Sequence, residues 1–191
     1  MITDYKSLKQ CLKKERAFYF AGYDSFSRRL FFRFTSQHPY MIWRYVRLIR
    51  ICEYLLNTSK GNKLKVLLFW LFERRRNHLG HKLGFCITPN VFDDGLYIDH
   101  LGSIVINPRA KVGKNCHMRG HCCIGMGGSG KGSPVIGFPV LGDNINIGWG
   151  TIIQGEITIA DGVLIGANSV VTKSITEPNS VYVGAPAKRI R

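Results

Sequence analysis

From Leu141 to Thr176 the chain repeats a six-residue pattern without interruption. Leu141, Ile147, Ile153, Ile159, Ile165 and Val171 stand six apart, and Ile145, Thr151, Ile157, Val163, Ser169 and Ile175 follow each by four. Turn formers fill the spaces, as in Gly142-Asp143-Asn144, Gly148-Trp149-Gly150 and Gly166-Ala167-Asn168. A helix repeats every 3.6 residues and a flat strand every two, so neither carries a period of six. Short strands separated by turns and wound into a coil do carry it, with the aliphatic positions stacked inward.

The period reaches back through Ile124, Met118, Val112, Ile106, Ile98 and Phe92. It fails twice: by a two-residue slip at Ile104-Val105 and by a longer break from Met126 to Val140. Three repeats make one triangular turn, so residues about 18 apart stack. Allowing for the slip, Ile98 falls under Met118, His100 under Gly120 and beside His121, and Asp99 near Arg119. His117 reads as facing another side of the coil. The break contains Gly127-Gly128-Ser129-Gly130-Lys131, too glycine-rich for a core, and is expected to loop out as a binding element.

The first part of the chain differs in kind. Residues 1–84 carry 18 Lys and Arg against 5 Asp and Glu, whereas residues 85–191 carry 9 against 7. This places a boundary between a basic α-helical region, 1–84, and the coil, 85–191. Thr3-Asp4 is expected to cap a first helix through Leu8, Cys11 and Leu12. Ile42, Tyr45, Val46, Ile49, Cys52, Leu55 and Leu56 form a helical stripe with Arg44, Arg47 and Arg50 off it. Another helix begins at Leu64 and is expected to end in Arg74-Arg75-Arg76, where cations suit the negative terminus, with Gly80 and Gly84 as stops. Cations mixed with bulky apolar groups in Arg28–Phe34 and Trp43–Arg50 suit helix packing or an anionic membrane surface. No nucleic-acid-reading motif is present. No segment approaches a membrane span and no secretory leader is visible, which implies a cytoplasmic protein, peripheral to the inner membrane face if the basic helices touch lipid. The six cysteines form no metal or redox spacing, and Cys116 and Cys122 occupy small inward positions of the coil.

Residues 85–191 resemble the hexapeptide-repeat acyltransferases, within them the serine acetyltransferase branch. Four segments carry the resemblance: Gly95-Leu96-Tyr97-Ile98-Asp99-His100, Gly127–Lys131, Ile165–Lys173 and Gly184-Ala185-Pro186-Ala187-Lys188. The resemblance implies a mainly β fold, a left-handed parallel β-helix preceded by the helical region, and a homotrimer or larger assembly. It implies acetyl-CoA as co-substrate, no metal, and His100 as general base, with His121 in a second catalytic position and Asp99 and Phe138 toward the acceptor. Gly128, Ser129 and Lys131, then Trp149, Gly150 and Ala167, are the implied CoA groove, with Thr172, Lys173 and Lys188 at its phosphate end.

Departures from the branch shape the acceptor. Phe85 stands where its members place the aspartate that orients the histidine, leaving Asp93, Asp94 or a backbone carbonyl for that task. Gly137-Phe138 replaces an Arg-His pair that helps bind the serine carboxylate. An aromatic wall suits a sugar, so the implied acceptor is a sugar hydroxyl of a bacterial surface polysaccharide (capsule, O-antigen or exopolysaccharide). Serine itself is the alternative, and a zinc enzyme resembling the γ-class carbonic anhydrases, built on His100, His117 and His121, is a third.

Overall fold

The structure, a computed structural model, describes residues 2–21, 25–127 and 137–191. Two compact units divide the chain, Met1–Leu83 and Gly84–Arg191.

The first unit is helical: α1 (Tyr5–Phe20), α2 (Phe26–Phe34), α3 (His38–Thr58) and α4 (Lys63–Leu83). Asp4 caps α1 as expected, its carboxylate accepting from the Ser7 amide at 2.7 Å while Ser7 Oγ accepts from the Asp4 amide. The stripe of α3 buries Ile42, Tyr45, Val46, Ile49, Cys52 and Leu55, but Leu56 is exposed. Arg50 does not sit off the stripe in solvent: its side chain is 1% exposed and held by two carboxylates. Arg50 Nη2 donates to Glu15 Oε1 at 2.7 Å and Nη1 to Glu53 Oε2 at 2.8 Å. Buried charge is tolerated only with such pairing.

The last helix runs past Arg74-Arg75-Arg76 to Leu83. Arg76 is buried and paired with Glu73 on its own turn, and Gly80 is buried inside the helix. The stop is Gly84, whose φ of +77° is the left-handed conformation that closes helices.

The second unit is a three-sided coil of short strands. They are β1 (Phe85–Cys86), β2 (Tyr97–Ile98), β3 (Ile104–Ile106), β4 (Lys111–Val112), β5 (His117–Met118), β6 (Cys123–Gly125) and β7 (Val140–Leu141). The rest are β8 (Asn146–Ile147), β9 (Ile152–Gln154), β10 (Thr158–Ile159), β11 (Leu164–Ile165), β12 (Val170–Val171), β13 (Val181–Val183) and β14 (Lys188–Arg189). They form three sheets, ordered β1-β3-β6-β9-β12, β10-β7-β4 and β14-β13-β11-β8-β5-β2, parallel throughout except that β14 runs antiparallel to β13.

The aliphatic positions of the repeat fill the interior, from Phe92 and Ile98 to Val171 and Ile175. Stacking at 18 holds where the repeat is clean: Leu164 lies on Asn146 and Val170 on Ile152. The slip is absorbed at the corner from Asp99 to Ser103, where Gly102 takes φ +131°, and not within β3, which stays regular with Val105 outward. After the break the coil resumes in register, Lys111 on Val140 and Val112 on Leu141. Corners need left-handed backbone, supplied by Asn115, Asn144, Asn168 and Asn179 (φ 55–58°) and by glycines.

Candidate active site

Each side chain of the predicted Asp-His pair is placed by the β2–β5–β8 face of the coil. Pairing of Tyr97 with His117 and Ile98 with Met118 carries Asp99 onto Arg119, and the Asp99 amide donates to Met118 O at 3.0 Å. His100 follows at the corner where the slip bulges, its side chain half exposed.

Asp99 is the hub. Its Oδ2 lies 3.7 Å from His100 Nε2 and 3.7 Å from His117 Nε2, and its Oδ1 accepts from Tyr97 Oη at 3.1 Å. His117 therefore shares the face of Asp99, contrary to expectation, and stacks on Tyr97 with ring centroids 4.7 Å apart. The count that put Asp99 beside Arg119 also puts His117 beside Tyr97, so the signal was present in the sequence. Asp93 and Asp94 pass their backbones into the coil ladder, Asp93 N to Val112 O and Asp94 O from Asn115 N. Asp99 places a carboxylate oxygen 3.7 Å from the His100 ring.

Environment separates the imidazoles. Burial, then the Arg119 guanidinium, pushes the pKa of His117 below the ordinary histidine value, outweighing the pull of Asp99. Arg119 is itself steered, its Nη1 donating to Asn146 Oδ1 at 2.7 Å. Tyr97 moves up, by burial first and by Asp99 next.

Trp149 joins the two predicted catalytic histidines. Its ring centroid is 5.9 Å from His100, edge on, and 4.8 Å from His121. Glycine at 120 makes room: a Cβ there would stand 2.6 Å from the indole. His121 is not a strand residue. It turns the corner with φ +59°, where Asn168 and Gly150 also take positive φ, and its ring packs on Gly102, where a Cβ would stand 2.8 Å from Nε2. A left-handed non-glycine residue costs energy that the surroundings must repay.

The other predicted positions divide. Ala167 is exposed on the corner beyond Trp149 and Gly150, and Gly148 is packed so closely that a Cβ would meet Ala167 N at 2.5 Å. The Gly148 and Gly150 amides are spent on the ladder, to Ile165 O and Gly120 O, so neither is an oxyanion donor. Thr172 and Lys173 are exposed after β12, and Lys188 is exposed in β14. Phe138 lies under the Arg109 guanidinium, 5.2 Å from its ring centre. Gly128, Ser129 and Lys131 lie outside the described residues. Phe85 is a core residue of β1, buried and paired with Ile104. Among the described residues of this single chain no group of three or more His, Cys, Asp or Glu able to hold a metal ion is present.

No known family is matched by the sequence, and no curated protein is detectably similar in sequence. Solved structures are similar. The soybean serine acetyltransferase apoenzyme matches with a TM-score of 0.71 over 97% of this chain and 69% of that one, at 23% identity. The Neisseria gonorrhoeae serine acetyltransferase gives 0.71 over 98% and 67%, at 24% identity. The Brucella abortus enzyme in complex with coenzyme A gives 0.70 over 97% and 68%, at 22% identity. The fold is thus that of the serine acetyltransferases, helices followed by the left-handed parallel β-helix that the resemblance implied.

Proposed function

We propose that this protein is an acetyl-CoA-dependent O-acetyltransferase acting on a hydroxyl of a bacterial surface saccharide. The observation that carries the reading is the Asp99-His100 pair, set on the corner that breaks the repeat and walled by Trp149. His100 takes the proton of the acceptor hydroxyl while the oxygen bonds to the thioester carbonyl carbon. The C–S bond then breaks, and the imidazolium returns the proton to the CoA sulfur. A positioned base of this kind contributes about 10²–10⁴-fold. Asp99 holds the protonated ring by charge. Trp149 and Ala167 offer a wall to the pantetheine arm, and Lys173 and Lys188 offer point charges to the phosphates.

A saccharide acceptor is supported by what stands in place of the carboxylate-binding groups. Gly137 is buried, and a Cβ there would fall 2.0 Å from the Glu156 side chain, so no longer residue fits. Phe85 is core. Serine is the second reading, favoured by the serine acetyltransferase fold and by Arg109, a guanidinium standing over Phe138. The coil's flat outer faces suit a homotrimer. The deciding assay follows CoA release from acetyl-CoA with serine, nucleotide sugars and surface polysaccharides as acceptors. His100→Ala should lower turnover about 10²–10⁴-fold with folding unchanged. Turnover undiminished in that variant, or serine as the best acceptor, defeats the mechanism or the saccharide assignment respectively.

A further inference from the structure

The helical unit carries a feature that acetyl transfer does not use. On α2, Phe26, Leu30, Phe31 and Phe34 are all exposed, Phe34 by 89%, while Arg29 and Phe32 turn inward and are half-buried. Positions 26, 30 and 34 recur every four residues, so they make one row along the helix, with Phe31 beside it. An amphipathic helix normally turns such a row to the core; here it faces solvent.

Beside α2 lies a cleft of about 640 Å³ lined by Lys13, Arg16, Arg29 and Arg47 together with Phe20 and Trp43. A second cleft, of about 290 Å³, continues from it, where Arg16, Arg29 and Arg33 meet Phe26, Leu30 and Tyr40. Among the described residues no carboxylate lines either one. Among the described residues the acids of the unit are committed elsewhere: Asp4 caps α1, Glu15 and Glu53 hold Arg50, and Glu73 holds Arg76. Arg29 lines both clefts, and its Nε is buried with no hydrogen-bond partner among the described residues. Convergent cations beside an exposed apolar row call for a ligand that is anionic in one part and apolar in the other.

We propose that α2 and these clefts dock on an anionic phospholipid membrane. The Phe26-Leu30-Phe34 row and Phe31 enter the headgroup–acyl boundary, and the cleft cations take lipid phosphates. A second copy of this chain is a poorer occupant: it would bring an equally cationic surface against this one. The row is also only nine residues long, about 14 Å of helix, short of what a stable dimer buries.

The experiment is flotation of the full chain with vesicles. Phosphatidylcholine–phosphatidylglycerol vesicles should carry it at least about ten-fold more strongly than phosphatidylcholine alone, with the preference falling in high salt. Phe31→Ser with Phe34→Ser, and separately Arg16→Gln with Arg47→Gln, should each lower binding about ten-fold or more. Helicity by circular dichroism and mass by sedimentation should stay the same. Equal binding to neutral and anionic vesicles overturns the proposal, as does undiminished binding by either variant. So does loss of oligomeric mass in the phenylalanine variant, which would make the row a contact between copies. Thermal stabilisation by inorganic phosphate with no flotation would mark a soluble-anion site instead, and also overturns it.

Discussion

Asp99 Oδ2 stands 3.7 Å from His117 Nε2 across neighbouring coils, inside a face where Tyr97 and Arg119 also converge. The imidazole is partly exposed but its Nε2 is shielded from solvent, and its pKa is pushed down by burial and by Arg119, so protonating it opposes the folded state. The unfolded chain takes up that proton near pH 6.5. Where the unfolded state binds more protons, stability rises with pH. The contribution is therefore intact above pH 6.5 and is lost as pH falls from there through the lowered folded value. Thermal melts between pH 7.5 and 5 should show this fall, and His117→Gln should flatten it. A slope unchanged in that variant would assign the loss to other groups.

Arg50 with Glu15 and Glu53 is a fully buried charge cluster. Glu15→Ala leaves Arg50 short of a carboxylate and should cost about 3–5 kcal/mol in urea denaturation. Replacing all three together, Glu15→Leu, Arg50→Met and Glu53→Leu, should recover stability to within about 2 kcal/mol of the wild type. A single variant as stable as the parent would mean that water reaches the site.

Two glycines of the coil should behave oppositely. A Cβ on Gly148 would press on the Ala167 amide, whereas among the described residues one on Gly125 would meet only Cys123 Sγ at 3.7 Å. Gly148→Ala should cost about 1–3 kcal/mol and shift the emission of Trp149 beside it. Gly125→Ala should stay within about 0.5 kcal/mol. Calorimetry and fluorescence separate the two.

The thiols give a simple check on the buried interior. Burial pushes Cys11 and Cys52 up to about 12 and Cys122 to about 11, and raises Cys116 and Cys123 as well, whereas Cys86 is exposed on β1. Alkylation at pH 8 should modify Cys86 rapidly, the half-buried Cys123 more slowly and the other four only on unfolding, read by intact mass. Rapid loss of Cys116 or Cys122 in the native protein would contradict the packed coil.

The coil was legible because burial in it follows one fixed count: a residue's place in the hexapeptide decides whether it points inward. The same count holds the Asp99–His117 contact, but a histidine taken alone on an outward position gives no reason to pair it. Arg50 was misplaced for a different cause. A single helix's stripe assigns faces within that helix, and Glu15, which draws Arg50 inward, comes from a helix 35 residues away. Likewise Glu73, one turn before Arg76, turned an apparent helix end into an interior turn. The Phe138 position shows the limit reached from the other side: Arg109, its partner, sits in a repeat outside the motif that drew attention to it.

Parallel coils have open ends, since every turn offers its successor the same hydrogen-bonding rim. Here β14 folds back antiparallel on β13, Tyr182 opposite Arg189 and Val183 opposite Lys188, and puts two cations where the next turn would begin. That reversal acts as a stopper against end-to-end growth. Deleting the final strand would leave the coil's packed interior whole yet expose a self-templating rim, and fibre formation, more than loss of fold, becomes the expected failure of a chain trimmed before β14.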